Sequence, residues 1–358
     1  MTPVTRATLP PLKDYVRYLE GIWSRCHLTN NGPLVVELER RLREYLDVPH
    51  VYLVTNGMLG LHIAIRALGM KGRVVTTPFS YVATTAAPVW EGLTPVFADI
   101  DASCCLDPDA AARVWRDDVG GIIATHVYGN ACDVPALGRL ARERGVPLLY
   151  DAAHAFGAKL DGRSLCGYGD IAMVSLHATK LFHTVEGGLL ITASDEYASR
   201  IERLRNFGHD GPDRFDGVGT NAKMSELHAA MGLCNLDRFP QLLAQRRRLS
   251  ALYEELLKDL PLQYPIWRPG LERNGAYFPV IFQSETVMRA ALTQLNGEQI
   301  FPRRYFHPSL SQLNYVDRGD VPIAESVAGR VVCLPLWAEL EELQVRRICS
   351  ILTRVLER

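Results

Sequence analysis

Between residues 50 and 195 short apolar runs alternate with longer segments whose apolar residues recur every three or four positions. The runs at 50–54, 73–76, 94–99, 120–125, 146–150, 171–176 and 187–193 predict strands, and the periodic segments 57–69, 83–91, 107–116 and 134–145 predict helices. The last of these helices begins after Asp133 and stops at Gly145, residues that suit a helix start and stop. Strands alternating with helices imply an α/β domain with a mainly parallel sheet covered on both faces.

Beyond that region the pattern changes. Segments 221–236 and 241–259 predict two helices, the second starting just after Pro240 with apolar residues on one face and Arg and Glu on the other. Candidate strands at 276–282 and 330–335 flank helical patterns at 284–295 and 338–357, which implies a smaller α+β domain closing over the first. The expected division is an N-terminal segment and large domain over 1–240 and a small C-terminal domain over 241–358. No internal repeat or low-complexity linker interrupts it.

Length and composition narrow the function. A chain of 358 residues exceeds one ordinary domain, and 47% hydrophobic with 22% charged residues is ordinary for a globular protein. A formal charge of -1 gives no electrostatic reason to expect nucleic acid as a partner, so a small molecule is expected instead. No apolar run is long enough to span a bilayer, and Met1 is followed by a polar, proline-containing stretch unlike a secretory signal, so a cytoplasmic protein without membrane contact is expected. Eight scattered cysteines, with only Cys104 and Cys105 adjacent, read as reduced structural thiols.

The candidate chemistry lies at the ends of the predicted strands, where ligands collect in such sheets. Thr55-Asn56-Gly57-Met58 joins a strand to a helix, and its free N–H groups with the helix dipole favour a phosphate; a tight turn alone also explains a glycine there. No G-x-G-x-x-G or G-x-x-x-x-G-K-[ST] pattern is present, which counts against a nicotinamide oxidoreductase and a triphosphate cradle. Tyr150-Asp151-Ala152-Ala153-His154 places a carboxylate at a buried strand tip, as a cap or as the partner of a protonated ring nitrogen. Ser175-Leu176-His177-Ala178-Thr179-Lys180, followed by Glu186-Gly187-Gly188, sets an amine near the next tip. Such a lysine is solvated, or desolvated and able to condense with an aldehyde. His177 and His183 are six apart, which is not the i, i+4 spacing of a helical metal pair, so no metal is expected.

Taken in order, Asn56-Gly57, Pro78-Phe79-Ser80-Tyr81-Val82-Ala83-Thr84, Asp151-Ala-Ala-His154, Ser175-x-His-Ala-Thr-Lys180 and Glu186-Gly-Gly resemble the sugar aminotransferases of the DegT/DnrJ/EryC1/StrS family. Leu28-Thr29-Asn30-Asn31-Gly32-Pro33 and Asn221-Ala222-Lys223-Met224-Ser225-Glu226 extend the likeness over nearly the whole chain. The resemblance implies the aspartate-aminotransferase (type I) fold, pyridoxal 5'-phosphate as cofactor with a pyridoxamine phosphate form in the cycle, and a homodimer sharing its active sites. It implies that Lys180 holds the cofactor as a Schiff base and shuttles the proton. Asp151 would pair with the ring nitrogen, Tyr81 stack on the ring and His154 lie beside the ring oxygen. Ser175 and the amides of Gly57 and Met58 would bind the phosphate, with Asn221 arriving from the neighbouring subunit. The family usually has Thr at the position of Met58, so one hydroxyl contact is lost here.

Lysine at position 180 favours amino transfer over the dehydration that related histidine-bearing enzymes perform. The likeness is greatest to enzymes that move an amino group from glutamate to C4 of dTDP-4-keto-6-deoxy-D-glucose, and amination at C3 of a 3-keto sugar is the alternative. Thr29, Asn30, His183, Arg303, Tyr305 and His307 are candidates for holding the sugar nucleotide. A non-catalytic regulator that binds the same cofactor would need an effector domain, and neither end of the chain offers a helix-turn-helix or a basic patch.

Overall fold

The computed structural model of the protein describes residues 1–357; Arg358, the last residue of the expected small domain, lies outside them. Helices α1 (Leu12–Arg25) and α2 (Pro33–Leu46) precede a seven-stranded sheet. Its strands are β1 (His50–Val54), β2 (Arg73–Thr76), β3 (Thr94–Phe97), β4 (Val119–Thr125), β5 (Leu148–Asp151), β6 (Ile171–Ser175) and β7 (Gly188–Thr192). Helices α3 (Gly57–Ala67), α4 (Ala83–Trp90), α5 (Pro108–Arg113), α6 (Val134–Arg144) and α7 (Asp195–Leu204) connect or follow them.

The spatial order is β1-β7-β6-β5-β4-β2-β3, parallel except that β7 runs antiparallel to both its neighbours. All seven expected strands and all four expected crossover helices are present. Residues of β5 and β6 are buried almost throughout because helices cover both faces, which explains their unbroken apolar sequence.

One expectation fails. The two helices foreseen on either side of Pro240 are a single helix α8, Glu226–Leu257, with the proline inside it. A proline removes one N–H from the ladder and crowds the preceding turn, which normally ends a helix. Here Leu233, Leu236 and Phe239 are buried on the first core before that point, and Leu249, Tyr253 and Leu257 are buried in a second core beyond it. Packing at both ends holds the helix through its weak turn. The second core is completed by β8 (Phe278–Ile281), α9 (Glu285–Gly297), β9 (Val331–Leu334) and α11 (Glu342–Leu356), with β8 and β9 antiparallel, while α10 (Pro322–Arg330) packs on the first. Among the described residues no helix is long and apolar enough to cross a membrane.

A buried carboxylate ties the first helices to the start of α8. The cap of α2 is Gly32, which has no side chain to accept the orphan N–H groups of the first turn. Glu226 accepts them instead, from Leu34 N at 3.0 Å and Val35 N at 3.0 Å, and Arg25 lies 3.7 Å away. A Cβ at position 32 would stand 2.6 Å from the Glu226 carboxyl carbon, so the glycine makes room for the cap. We predict that Glu226→Ala lowers stability by about 1–3 kcal/mol, the cost of leaving buried donors unpaired, read as a fall in melting temperature. An unchanged melting temperature would show that water replaces the cap.

Candidate active site

The carboxyl ends of the adjacent strands β5 and β6 lead into one recess. Asp151, the last residue of β5, is buried; its Oδ2 accepts from Thr84 Oγ1 at 2.7 Å and its Oδ1 from Ala153 N at 3.1 Å. Thr84 in turn bonds Ser80 Oγ at 2.7 Å, and Ser80 Oγ accepts from Thr125 Oγ1 at 3.2 Å. Every contact to Asp151 therefore comes from a neutral donor, and among the described residues it has no ion pair. Burial pushes its carboxyl above the usual range, while Thr84, Ala153 and the Lys180 charge pull it back.

Lys180 follows β6 by five residues and lines the recess with Ala153, His154, Ser175, Thr179 and Tyr277. Its Nζ donates to Tyr277 Oη at 3.3 Å. Burial lowers the amine below the ordinary lysine value, and the fields of Asp151, Tyr305 and Tyr81 oppose that fall. The amine thus stays closer to its neutral, nucleophilic form than a surface lysine would.

His154 is buried three residues beyond Asp151 and stacks on Phe306 with centroids 5.4 Å apart. Burial, then the Lys180 charge, drives its pKa far down, so it is neutral. Its Nδ1 accepts from Tyr128 N at 3.3 Å, which leaves Nε2 as the nitrogen carrying hydrogen. His126 beneath it is also buried and neutral, with a pKa lowered to about 3 by burial and its ring stacked on Tyr150 at 4.3 Å.

Gly57 opens α3 at the same end of the sheet. A Cβ there would lie 3.2 Å from Met173 Sδ and 3.3 Å from Ser175 Cβ, so glycine lets the helix N-terminus come down onto the tip of β6. Gly188 serves the same approach, since a Cβ would sit 2.6 Å from the Asn56 carbonyl oxygen. Asn56 caps the helix by accepting from Leu59 N at 2.9 Å. The first-turn N–H groups of Gly57 and Met58 have no acceptor within the helix, which makes this end an anion seat beside the Ser175 hydroxyl.

A second, open cleft of about 520 Å³ adjoins the recess, lined by Tyr81, Arg303, Tyr305 and His307 among others. Tyr81 is 59% exposed at its edge. Asn221 is exposed on the loop before α8, accepts from Lys223 Nζ at 2.7 Å, and adjoins Ala222, whose carbonyl accepts from Thr55 N at 2.9 Å. Thr29 and Asn30 are exposed between α1 and α2 and line neither the recess nor the cleft.

His183 is a correction to the expectation that it holds sugar. It is buried, with Nε2 bonded to the Thr8 carbonyl at 2.8 Å and Nδ1 accepting from Val185 N at 3.2 Å, so both ring nitrogens are engaged within the chain, Nε2 on its N-terminal arm. Thr84, Tyr277 and the buried Asn274 are polar groups of the site region that the sequence motifs do not single out. Thr84 stands within Pro78–Thr84 with no charge or glycine to mark it, and Tyr277 borders an ordinary-looking strand.

A buried carboxylate opposed to a lysine, with an anion seat between strand tip and helix start, is the layout a phosphorylated aldehyde cofactor needs. The sequence model of the DegT/DnrJ/EryC1/StrS aminotransferase family matches residues 13–353. The chain belongs to this family. It is 38% identical to a dTDP-4-amino-4,6-dideoxy-D-glucose transaminase of Shigella dysenteriae over 345 residues, covering 94% of each chain. It is 36% identical to an enzyme of that name from Escherichia coli over 364 residues, covering 98% of this chain and 97% of the other. Among solved structures, DesI in the presence of its TDP-sugar product superposes with a TM-score of 0.95 at 34% identity, covering all of this chain and 93% of the other. The fold is thus the one that pyridoxal-phosphate aminotransferases of this family adopt.

Pyridoxal phosphate fits these residues. Asp151 is a buried carboxylate bonded only by neutral donors, and a protonated pyridine nitrogen is the cation that would satisfy it. Lys180 presents an amine of lowered basicity to the same recess, and the start of α3 offers unpaired N–H groups for the phosphate.

Keeping His126 neutral costs stability in acid. Its folded pKa of about 3 lies below the unfolded value of about 6.5, so only the unfolded chain takes up the proton as pH falls. We predict that His126 contributes a loss of about 1.4 kcal/mol per pH unit below pH 6.5, continuing toward pH 3. The measurement is melting temperature against pH for the wild type and for His126→Asn; an identical slope in both would contradict it.

Proposed function

We propose that the protein transfers an amino group from glutamate to C4 of dTDP-4-keto-6-deoxy-D-glucose, giving dTDP-4-amino-4,6-dideoxy-D-glucose. The observation that carries the reading is that Lys180, in a recess just past the end of β6, lies within reach of the charge of Asp151 at the end of the adjacent β5, although the two are far apart in sequence. The choice of sugar is supported by the two transaminases that are 38% and 36% identical over nearly the full chain.

When bound, pyridoxal phosphate supplies an aldehyde for Lys180 and a ring that withdraws electrons from the carbon being deprotonated. Asp151 keeps the ring nitrogen protonated, and Thr84 and Ala153 hold its two oxygens in place. Lys180 Nζ would serve as the general base and acid that moves a proton between the cofactor carbon and the carbon bearing the amino group, first of the donor and then of the sugar. His154 Nε2 would offer its hydrogen to the ring oxygen, and Tyr81 would cover the ring face. Gly57 N, Met58 N and Ser175 Oγ would hold the phosphate.

Met58 offers no hydroxyl to that phosphate, a loss of about 1.5–3 kcal/mol for one hydrogen bond to a charged group, which the remaining donors offset. Asn221 of a second copy completes the seat, so the working form is a homodimer. Arg303, Tyr305 and His307 take the sugar nucleotide in the open cleft, with the fork of Arg303 on the diphosphate.

We predict that Lys180→Ala loses the visible absorbance that marks a lysine-bound cofactor together with all turnover; retained turnover would refute the assignment. Incubation with glutamate and either the 4-keto or the 3-keto form of dTDP-6-deoxyhexose, followed by NMR, should place the new amine on C4 of the first. Reaction of the 3-keto sugar alone would move the assignment to C3. For Arg303→Ala we expect KM for the sugar nucleotide to rise about tenfold or more with kcat little changed, as loss of a contact equal in ground and transition states requires.

A further inference from the structure

Tyr277 touches the reactive amine yet belongs to none of the motifs that mark the site. It lies just before β8, the strand that starts the second core, whereas Lys180 hangs from β6 in the first. The two meet at 3.3 Å, Nζ to Oη. The tyrosine ring is edged by His154, with centroids 4.9 Å apart, and by Tyr305 at 5.8 Å, so it stands between the lysine recess and the sugar cleft.

Its place is set by a buried polar clamp. Asn274 donates to the carbonyls of His154 at 2.8 Å and Phe156 at 3.0 Å, and its Oδ1 accepts from Ala276 N at 3.0 Å. Arg246, buried on α8, donates to the carbonyls of Gly275 at 3.2 Å and Ala276 at 3.0 Å. Gly275 takes a φ of 63°, the left-handed region that lets the chain turn between these two anchors. Three residues in a row are thus fixed against the strand end that carries Asp151, and the fourth is Tyr277. Gly129 belongs to the clamp as well, since a Cβ there would lie 2.6 Å from Asn274 Oδ1.

We propose that Tyr277 is the positioning residue for Lys180: its hydroxyl holds the amine whenever the lysine is detached from the cofactor, and keeps it aimed at the carbon it must reprotonate. The proposal rests on Lys180 being the cofactor lysine. A hydroxyl suits the task because it accepts from the ammonium and donates to the free amine, so it can hold the group in both states. The hydroxyl also stays protonated throughout, because burial pushes its pKa up. The titratable groups facing Lys180 are Asp151, His154, Tyr305 and Tyr81. Those facing Tyr277 from other elements are Lys180, His154, Tyr305, Cys333, Arg246, Tyr128 and Asp151. Asp151 is the one carboxylate among them, and the pair at Nζ therefore depends on the neutral hydroxyl for its second partner.

The test is Tyr277→Phe, which keeps the ring and its packing. In the holoenzyme kcat should fall about ten- to a hundredfold, the effect of losing one hydrogen bond to a charged group, with KM for glutamate and for the sugar nucleotide within about twofold. In the enzyme stripped of cofactor, the pH midpoint for condensation with added pyridoxal phosphate should move to lower pH, because the ammonium form loses its acceptor and the neutral amine is the nucleophile. An unchanged kcat with an unchanged midpoint would overturn the proposal. So would a fall in kcat with the midpoint unmoved, since a merely structural tyrosine would give that result. If instead Lys180→Ala still forms the visible absorbance, the cofactor assignment fails and Tyr277 is not at issue.

Discussion

A carboxylate and an amine are withdrawn from water at the end of two adjacent parallel strands, and burial opposes the charge on each. Asp151 is given only neutral donors within the protein, and Lys180 only a tyrosine hydroxyl at hydrogen-bond distance. An isolated buried charge is expensive, so such an arrangement is stable only where something satisfies both ends. A protonated aromatic ring with an aldehyde on it would do so, its nitrogen suited to the carboxylate and its aldehyde to the amine. The rest of the structure can be understood as the means of holding those two groups apart at a fixed separation.

The sheet supplies the rigidity. β5 and β6 are paired in register, Asp151 opposite Met173, with both strands buried, so the carboxylate has little freedom to follow a poorly fitting ligand. The phosphate seat is built against the same edge, where Gly57 and Gly188 allow helix and strand to approach more closely than any side chain would permit. The second core then reaches over. Helix α8 runs from one core to the other through Pro240, and its buried Arg246 fixes the backbone that presents Tyr277. Catalytic geometry is therefore shared between two packed cores, and a loosened contact at Asn274 or Arg246 would be felt at Lys180 Nζ.

Much of this was legible in the sequence, because the large domain's strands are short apolar runs and its ligand groups fall at their ends. His154, Ser175 and Lys180 line one recess, Asp151 ends the strand beside it, and Gly57 opens the helix at the same end of the sheet. What could not be read depended on tertiary contacts. Pro240 looks like a break until both cores are seen to hold the helix on either side of it. His183 follows the lysine closely and looks like a ligand, yet the folded chain spends both its nitrogens on Thr8 and Val185. Helices α1, α2, α7 and α10 stand outside the expected elements, although α1 carries apolar residues at helical spacing; of these only Ile22 is buried in the folded chain. Tyr277 and Thr84 carry no mark of their own, since a hydroxyl acquires its role only from what the fold places next to it.

The most direct measurement is borohydride reduction of the cofactor-loaded enzyme, which fixes the bound cofactor to whichever lysine holds it, followed by peptide mapping. The modification should fall on Lys180 alone, and prior loss of Asp151 as Asp151→Ala should weaken cofactor retention. Lys223 is the informative alternative, since it too is buried and burial lowers its amine. Modification of Lys223, or of any lysine other than Lys180, would contradict the pairing on which the account depends.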